Sequence, residues 1–195
     1  MNAVPDVAPG PDVVPVAIAD AEAEADLARV AALVRDVPDY PSPGVLFRDI
    51  TPVLADAEAF AAVVTELASL VGDAEIVAGV EARGFLLGAA VAVVAGTGVV
   101  PVRKAGKLPR VAGSQTYDLE YGTATLELPA DTVAPGSKVF IVDDVLATGG
   151  TAAAAYALLS DAGADVTGFA VLLELAALGG RERLAPIPVH ALLRV

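Results

Sequence analysis

The 195-residue sequence contains no cysteine and no tryptophan, one histidine, and only 5% aromatic residues. Without cysteine the chain forms no disulfide, no thiolate metal site and no cysteine nucleophile, and we expect it in a reducing cytoplasm. Basic residues are also scarce, because 12 Lys and Arg stand against 25 Asp and Glu and give a net charge of −13. Nucleic-acid binding needs clustered basic residues in excess, so this charge argues against nucleic acid as a partner.

A membrane span is also not expected. Residues Gly84 to Val102 carry no charge over 19 positions, which is long enough to reach across a bilayer core. The segment contains four further glycines or prolines, however, and divides into a buried helix to about Ala95, a Gly-Thr-Gly turn and a strand from Val99. The glycine fingerprints of dinucleotide-binding and P-loop proteins are absent from the sequence.

The composition fits one domain, residues 20–195, after a disordered, acidic and proline-rich tail, residues 1–19. Apolar periodicity predicts a helix near Leu27 to Val34, capped by Asp20 or Asp26, and a second helix capped by Asp56. Further helices are expected from Gly84 and Gly150. The predicted strands are Glu75–Val80, Val99–Val102, Thr123–Leu128, Val139–Val142, Val166–Leu173 and Val189–Leu193. This alternation predicts an α/β fold, a mostly parallel twisted sheet flanked by helices.

The segment from Val139 to Thr151 predicts a phosphate-binding loop. A buried strand is followed by two acids, and then Ala147, Thr148, Gly149, Gly150 and Thr151 open a helix. The glycines allow a tight turn with converging N–H groups, the threonines add hydroxyl donors, and the helix N-terminus attracts an anion. Open α/β sheets bind ligands at this edge, so we expect a phosphate monoester there.

Asp143 and Asp144 need another partner, because carboxylates repel a phosphate. A ribose whose 5′-phosphate lies in the loop would bring its two vicinal hydroxyls to this pair. Neighbouring strand residues point to opposite faces, so both acids reach one ligand only if the strand ends near Val142. The alternative interpretation of this segment is a strand followed by an acid-rich turn and an ordinary helix.

This stretch resembles the phosphoribosyl pyrophosphate motif of type I phosphoribosyltransferases, and the resemblance extends over about residues 30–195. The further matching segments are Pro41–Pro52, Glu81–Phe85, Arg103–Pro109 and Leu119–Gly122. They are similar to the members of this family that act on adenine. The resemblance implies transfer of a 5-phosphoribosyl group to adenine, giving AMP and pyrophosphate, with Mg²⁺ held mainly by the substrate. It also implies a small hood, a flexible lid loop and a homodimer.

The resemblance implies that pyrophosphate is bound at a second turn, by Ala82 and Arg83, and by Arg103, Lys104 and Lys107. In the family this turn often holds a cis peptide, and Arg103 corresponds to a residue that reaches the neighbouring subunit's site. Read alone, Arg83 could be a surface ion pair, and the basic run a solvated loop.

The adenine site is assigned by resemblance to Val45, Leu46, Phe47 and Arg48. Phe47 offers a π face to a purine, and the backbone of an extended segment can read the base edge. Read alone, Phe47 could equally plug a hydrophobic core. Leu46 has no group that distinguishes adenine from guanine.

A long polar segment, Ala105–Gly122, suits a lid. Within it, Glu120 is by resemblance the acid that manages the imidazole proton of the base, with Tyr121 beside it. We therefore expect Arg83 and Glu120 to be the catalytic residues, the alternative for Glu120 being a solvated loop carboxylate.

Two other functions stay open. Pocket shape sets base choice, so another purine such as xanthine could be the acceptor. A regulator that binds phosphoribosyl pyrophosphate without catalysis is a second alternative, and it would carry a DNA-binding appendage. The first forty residues contain only Arg29 and Arg35 as basic residues, which argues against that appendage.

Overall fold

The computed structural model describes residues 13–16, 21–118, 122–185 and 187–195. The strands are β1 Val14–Pro15, β2 Arg35–Pro38, β3 Leu46–Asp49, β4 Ile76–Val80, β5 Gly98–Lys104, β6 Val111–Asp118, β7 Thr123–Pro129, β8 Lys138–Leu146, β9 Asp165–Glu174 and β10 Val189–Arg194. The helices are α1 Ala21–Leu33, α2 Thr51–Ala55, α3 Ala57–Ser69, α4 Gly84–Ala95 and α5 Gly150–Asp161, with 3₁₀ turns at Ala176–Leu178 and Gly180–Leu184.

Eight strands form one sheet in the order β1-β10-β9-β8-β4-β5-β7-β6. The five central strands, β10 to β5 in this order, run parallel, and the strands at both edges pair antiparallel. Parallel strands need crossover connections, and the helices between them supply these. The expected α/β fold with a mostly parallel sheet is therefore confirmed.

Helices cover both faces of the sheet and bury two hydrophobic cores. One core joins α1, α3 and α4 to alternate residues of the central strands, such as Val77 and Val142. The other joins α5 to the intervening residues, such as Ala78 and Ile141. Side chains of a strand alternate between faces, so strands buried on both sides read as the continuous apolar runs seen in the sequence.

The uncharged run from Gly84 to Val102 forms α4, a turn and β5, as the sequence predicts. Gly96 ends α4 in the left-handed conformation at φ 72°, which glycine adopts without steric cost. No helix in the part of the chain that the structure describes is long and apolar enough to cross a membrane.

Four short or polar elements, β2, β3, α2 and β6, are absent from the helices and strands that the sequence pattern predicts, although the resemblance implies a small hood. β2 and β3 form a separate two-stranded ribbon, hereafter the hood, and α2 follows it directly. β6 occupies eight residues of the segment that was expected to be an irregular lid. Its residues are mostly polar, and none is fully buried. The apolar pattern of a buried strand is therefore absent, and pairing with β7 determines the structure instead.

Two predictions at the N-terminus need correction. Asp26 lies within α1 and cannot cap it, because the helix begins at least five residues earlier; Asp20 lies outside the described residues. Within the predicted tail, residues 13–16 are described, and Val14–Pro15 adds to the sheet as β1 beside β10. Burial of Val13 accompanies this pairing. Asp56 does cap α3, its side chain accepting from the Ala59 N–H.

Glycines let α4 approach the sheet closely. A Cβ placed on Gly88 would lie 2.9 Å from the Gly79 Cα of β4, closer than packed carbon atoms tolerate. The N-terminus of α4 is therefore held against the carboxyl end of β4, which is where the ligand edge of the sheet lies.

We predict that Gly88→Ala destabilises the fold. Alanine gains about 1 kcal/mol of helix propensity, but the overpacking at Gly79 costs about 1 to 3 kcal/mol, so we expect a net loss. Urea unfolding followed by circular dichroism measures it. Gly98→Ala is the control, since its Cβ would meet its nearest atom at 3.8 Å. A Gly88→Ala variant more stable than the parent would contradict this packing.

Candidate active site

A cavity of about 660 Å³ opens at the carboxyl edge of the parallel strands. Its wall brings together three segments that are far apart in sequence: the hood, the turn after β4, and β8 with the loop that follows. The lining residues include Val45, Leu46, Phe47, Arg48, Arg83, Lys104, Asp143, Asp144, Ala147, Thr148, Gly149, Gly150 and Thr151. These are thirteen of the predicted site residues, brought to one cavity.

Five other predicted site residues are not among the lining residues of this cavity. Ala82, Arg103 and Lys107 do not contribute to the cavity wall. Glu120 and Tyr121 lie outside the described residues.

The loop from Ala147 to Thr151, hereafter the cradle, connects β8 to α5. Gly149 precedes α5 in the left-handed conformation, at φ 79°, so the chain turns sharply there. The Thr151 hydroxyl donates to Tyr117 Oη of β6 at 3.2 Å. The cradle thus presents a helix N-terminus and hydroxyl groups to the cavity, the arrangement expected of an anion site.

The acids lie within a strand and not after it, which corrects the predicted strand end at Val142. β8 continues to Leu146, paired to β9, but its pairing with β4 stops at Gly79 and Val142. Asp143 and Asp144 therefore extend past the end of β4 with one side open.

The alternation of β8 also shifts at the two acids. Val142 and Val145 pack into the same hydrophobic core, whereas Ile141 and Leu146 pack into the other. Regular alternation would place Val142 and Val145 on opposite faces. Because the alternation shifts at Asp143 and Asp144, both acids reach the cavity although the strand continues.

Asp143 is packed against the start of α4. A Cβ on Gly84 would lie 2.7 Å from its Oδ1, and that oxygen accepts the Asp144 backbone N–H at 2.8 Å. Burial, reinforced by the neighbouring Asp144 carboxylate, raises the pKa of Asp143 well above its ordinary value.

Arg83 links the acids to the hood. Its Nε lies 2.6 Å from Asp144 Oδ2, and its guanidinium stands over the Phe47 ring, 5.4 Å from the centroid. Arg83 therefore does form an ion pair, which was the alternative reading of this residue. Its partner, however, is Asp144, an acid in the cavity wall. Phe47 also meets Tyr40 edge to face, with centroids 5.1 Å apart.

The hood supplies the cavity wall through β3. Phe47 is half-buried there and belongs to neither hydrophobic core, so it is not the core plug considered above. The Arg48 guanidinium forms an ion pair with Asp36 of β2. The Arg48 side chain is thereby fixed within the hood.

Glu81 is a site residue that the sequence analysis missed. Its side chain is 8% exposed, contacts Lys107 and Arg103, and accepts the Lys104 backbone N–H at 2.9 Å. Burial raises the pKa of Glu81, but the hydrogen bonds from Lys107 and the Lys104 N–H and the nearby positive charges outweigh it, so the pKa lies below its ordinary value. The only sequence signal for this role is the position of Glu81 two residues before Arg83.

The basic run divides between two environments. Lys104 faces the cavity, whereas Arg103 lies over the Phe85 ring of α4 at 5.8 Å, as expected of neighbouring strand residues. Arg110 pairs with Asp131 at the surface. The peptide bond between Glu81 and Ala82 is cis, as the resemblance implies.

The fold and the cradle define a phosphoribosyl-transfer domain, and residues 53–186 match the family described as phosphoribosyl transferase domain. An adenine phosphoribosyltransferase of Saccharopolyspora erythraea is 58% identical over 179 residues, 92% of this chain and 97% of that protein. One from Kineococcus radiotolerans is 61% identical, covering 88% and 94%. The chain belongs to the adenine phosphoribosyltransferase family.

Solved structures agree. The crystal structure of adenine phosphoribosyltransferase from Rhodothermus marinus matches with a TM-score of 0.83 and 45% identity, over 88% of this chain and 99% of that one. The enzyme from Saccharomyces cerevisiae matches with a TM-score of 0.81 and 36% identity, covering 86% and 98%. The yeast structure is a complex with adenine and an imino-altritol bisphosphate.

We predict that Asp143→Asn is more stable than the parent at neutral pH. The raised pKa means that folding favours the neutral acid, whose contribution to stability is lost as pH rises through the folded-state pKa. Asparagine stays neutral and can still accept the Asp144 N–H. The gain over the parent should therefore grow from about pH 5 to about pH 8 in urea unfolding without ligands.

Asp161→Asn, at the exposed end of α5, serves as the control and should respond to pH as the parent does. A gain for Asp143→Asn that is the same at both pH values would contradict the burial of a charge at this position.

Proposed function

We propose that this protein transfers the 5-phosphoribosyl group from phosphoribosyl pyrophosphate to N9 of adenine, giving AMP and pyrophosphate, a purine salvage reaction. The observation that carries the proposal is one cavity in which the cradle, the acid pair and the hood segment Val45–Arg48 meet. The relatives described above are named adenine phosphoribosyltransferase, and the yeast structure was solved with adenine.

In this proposal the cradle binds the 5′-phosphate. The backbone N–H groups from Ala147 to Gly150 and the start of α5 supply positive potential, and the hydroxyls of Thr148 and Thr151 donate hydrogen bonds. Thr151 exchanges its present partner, Tyr117, for the phosphate. No lysine is required, because the backbone and the helix dipole already favour an anion.

The acid pair then receives the ribose. Its 2′ and 3′ hydroxyls donate to Asp143 and Asp144, acceptors that extend past β4 toward the cavity. Arg83, now on Asp144, is placed to neutralise the departing pyrophosphate together with the Ala82 turn and Lys104. We therefore keep Arg83 as a catalytic residue.

The proposed reaction depends on charge stabilisation more than on covalent catalysis by the protein. As pyrophosphate leaves, positive charge develops at the ribose C1 and ring oxygen, as in glycoside hydrolysis. Binding both substrates in one cavity aligns N9 with C1 and keeps water away.

Mg²⁺, when bound with the substrate, would neutralise charge on the pyrophosphate. Among the described residues no group of three or more His, Cys, Asp or Glu could hold a metal ion. The two carboxylates on the cavity wall fit an ion that is held mainly by substrate oxygens, with Asp143 and Asp144 assisting.

The hood is the proposed adenine site. Adenine stacks on Phe47, and the backbone of Val45, Leu46 and Arg48 reads the base edge. Arg48 acts through its backbone, because Asp36 holds its guanidinium. This part of the proposal therefore places base recognition on main-chain groups.

Glu120 and Tyr121, which follow β6 in the sequence, are proposed to complete the site. β6 ends at Asp118, whose carbonyl packs against Gly150 of the cradle: a Cβ on Gly150 would lie 3.3 Å from it. The end of β6 therefore lies at the cradle, where the 5′-phosphate is proposed to bind. We propose that Glu120 manages the proton of the imidazole nitrogens and that Tyr121 binds beside the base.

We further propose a homodimer formed through α4. Leu86, Val93 and Val94 expose 56%, 81% and 58% of their surface on this helix, and Val99 of β5 exposes 50%. Such an apolar face is typical of an interface. Arg103 lies beside this face on the Phe85 ring and does not itself line the cavity of its own subunit. In this proposal Arg103 and the nearby Lys107 serve the partner's pyrophosphate.

The cytoplasm is the proposed location. Phosphoribosyl pyrophosphate is a highly charged intracellular substrate, and a chain without cysteine suits a reducing compartment.

The direct test of the activity is nucleotide formation from phosphoribosyl pyrophosphate and Mg²⁺ with adenine, hypoxanthine, guanine, xanthine or orotate, read by chromatography. We expect AMP to form faster than any other nucleotide. A different preferred nucleotide would contradict the proposed base site, and tight donor binding without any product would indicate a regulator.

The dimer is tested by sedimentation velocity of Val93→Glu. We expect the parent to sediment as a dimer and the variant as a monomer, because a charge is costly within an apolar interface. Val14→Glu is the matched control, since Val14 is 55% exposed and lies on the edge strand β1, outside the proposed interface. A parent that stays monomeric, or a Val93→Glu variant that stays dimeric, would contradict this interface.

A further inference from the structure

The cradle is supported from behind by the 3₁₀ turn Gly180–Leu184, which the proposed mechanism does not use. A Cβ on Gly180 would lie 2.2 Å from the Ala147 carbonyl oxygen and 2.8 Å from the Gly149 nitrogen. Reciprocally, a Cβ on Gly149 would lie 2.4 Å from the Gly180 oxygen. The two backbones are therefore in direct contact, and a displacement of Gly180 must move the cradle.

The turn is fixed at two further points, both of which follow Gly180 in the chain. Leu184 is buried in the core beneath α5. Arg181, the residue next to Gly180, binds Glu174 with two hydrogen bonds, Nε to Oε1 at 3.1 Å and Nη2 to Oε2 at 2.6 Å. A paired, two-point contact of this kind fixes direction as well as distance.

Glu174 is itself rigidly placed. Its side chain is 4% exposed, and Arg194 of β10 also contacts it, with Nε 3.3 Å from Oε2. In the sheet it pairs with Leu146, the residue that precedes the cradle. The hydrogen bond from Arg181 lowers the pKa of Glu174 against the opposing effect of burial, so the carboxylate stays charged.

We infer that Glu174 and Arg181 are positioning residues for the donor's phosphate: they hold Gly180 against the cradle and so set the spacing of its N–H groups. This inference rests on the proposed function, in which the cradle binds the 5′-phosphate of phosphoribosyl pyrophosphate. None of the three residues touches the substrate. Their effect reaches the donor through the backbone of Ala147 and Gly149.

The KM for phosphoribosyl pyrophosphate and the KM for adenine should respond differently to changes in this turn. The proposed adenine site lies in the hood, whereas the turn contacts the cradle, the loop that is proposed to bind the donor's phosphate. Loss of the Arg181 contact, or a methyl group at Gly180, should therefore raise KM for phosphoribosyl pyrophosphate about tenfold and leave KM for adenine within about twofold. A merely structural role would change both constants together, or neither.

The experiment compares Arg181→Ala and Gly180→Ala with two matched controls in the full chain. Arg183→Ala removes an exposed arginine from the same turn, and Gly98→Ala adds a methyl group where the nearest atom is 3.8 Å away. Steady-state kinetics with each substrate varied in turn gives both constants, and thermal unfolding verifies that each variant is folded.

A selective rise in KM for phosphoribosyl pyrophosphate in Arg181→Ala, absent from Arg183→Ala, supports the inference. Equal KM values in these two variants, or equal rises for both substrates, overturn it. If Gly180→Ala does not fold, Arg181→Ala alone tests the inference, because Arg194 still pairs with Glu174 when the Arg181 side chain is removed. A parent that forms no AMP would instead refute the proposed function.

Discussion

The site depends on where the pairing between β4 and β8 stops. The last pair is Gly79 with Val142, and β8 continues alone on that side through Asp143 and Asp144. Two adjacent carboxylates in a parallel strand would ordinarily be buried on opposite faces at a high free-energy cost. Here the missing neighbour opens one side to the cavity, and the shifted alternation brings both acids to it. The cradle follows directly, so its position depends on the same strand.

Positive charge at the site is local and depends on acids. The chain carries a net charge of −13, yet the proposed donor is an anion. Glu81 gathers Lys107, Arg103 and the Lys104 backbone beside the turn after β4, and Asp144 holds Arg83 at the cavity. Buried acids thus position the cations before any substrate arrives, and an incoming anion competes for cations that are already placed.

Much of this could be predicted from the sequence, for identifiable reasons. Helices and parallel strands with continuous apolar patterns, such as α4 and β4, were predicted to within a few residues because burial determines them. β6 was missed, since its polar residues are organised by β7 and α5. The continuation of β8 past Val142 depends on a shift in side-chain alternation. The role of Glu81 depends on contacts with residues that lie 22 to 26 positions further along the chain. Neither has a local sequence signal.

In the proposed site the acid pair recognises a vicinal diol while the cradle holds the phosphate. The most direct measurement is calorimetric titration of AMP and of 2′,3′-dideoxy-AMP into the parent and into Asp144→Asn. We expect the parent to prefer AMP by about tenfold or more, since the dideoxy nucleotide has no hydroxyls to donate to the acids, and we expect the preference to shrink in the variant. Equal affinity of the parent for both nucleotides, or an unchanged preference in Asp144→Asn, would contradict it.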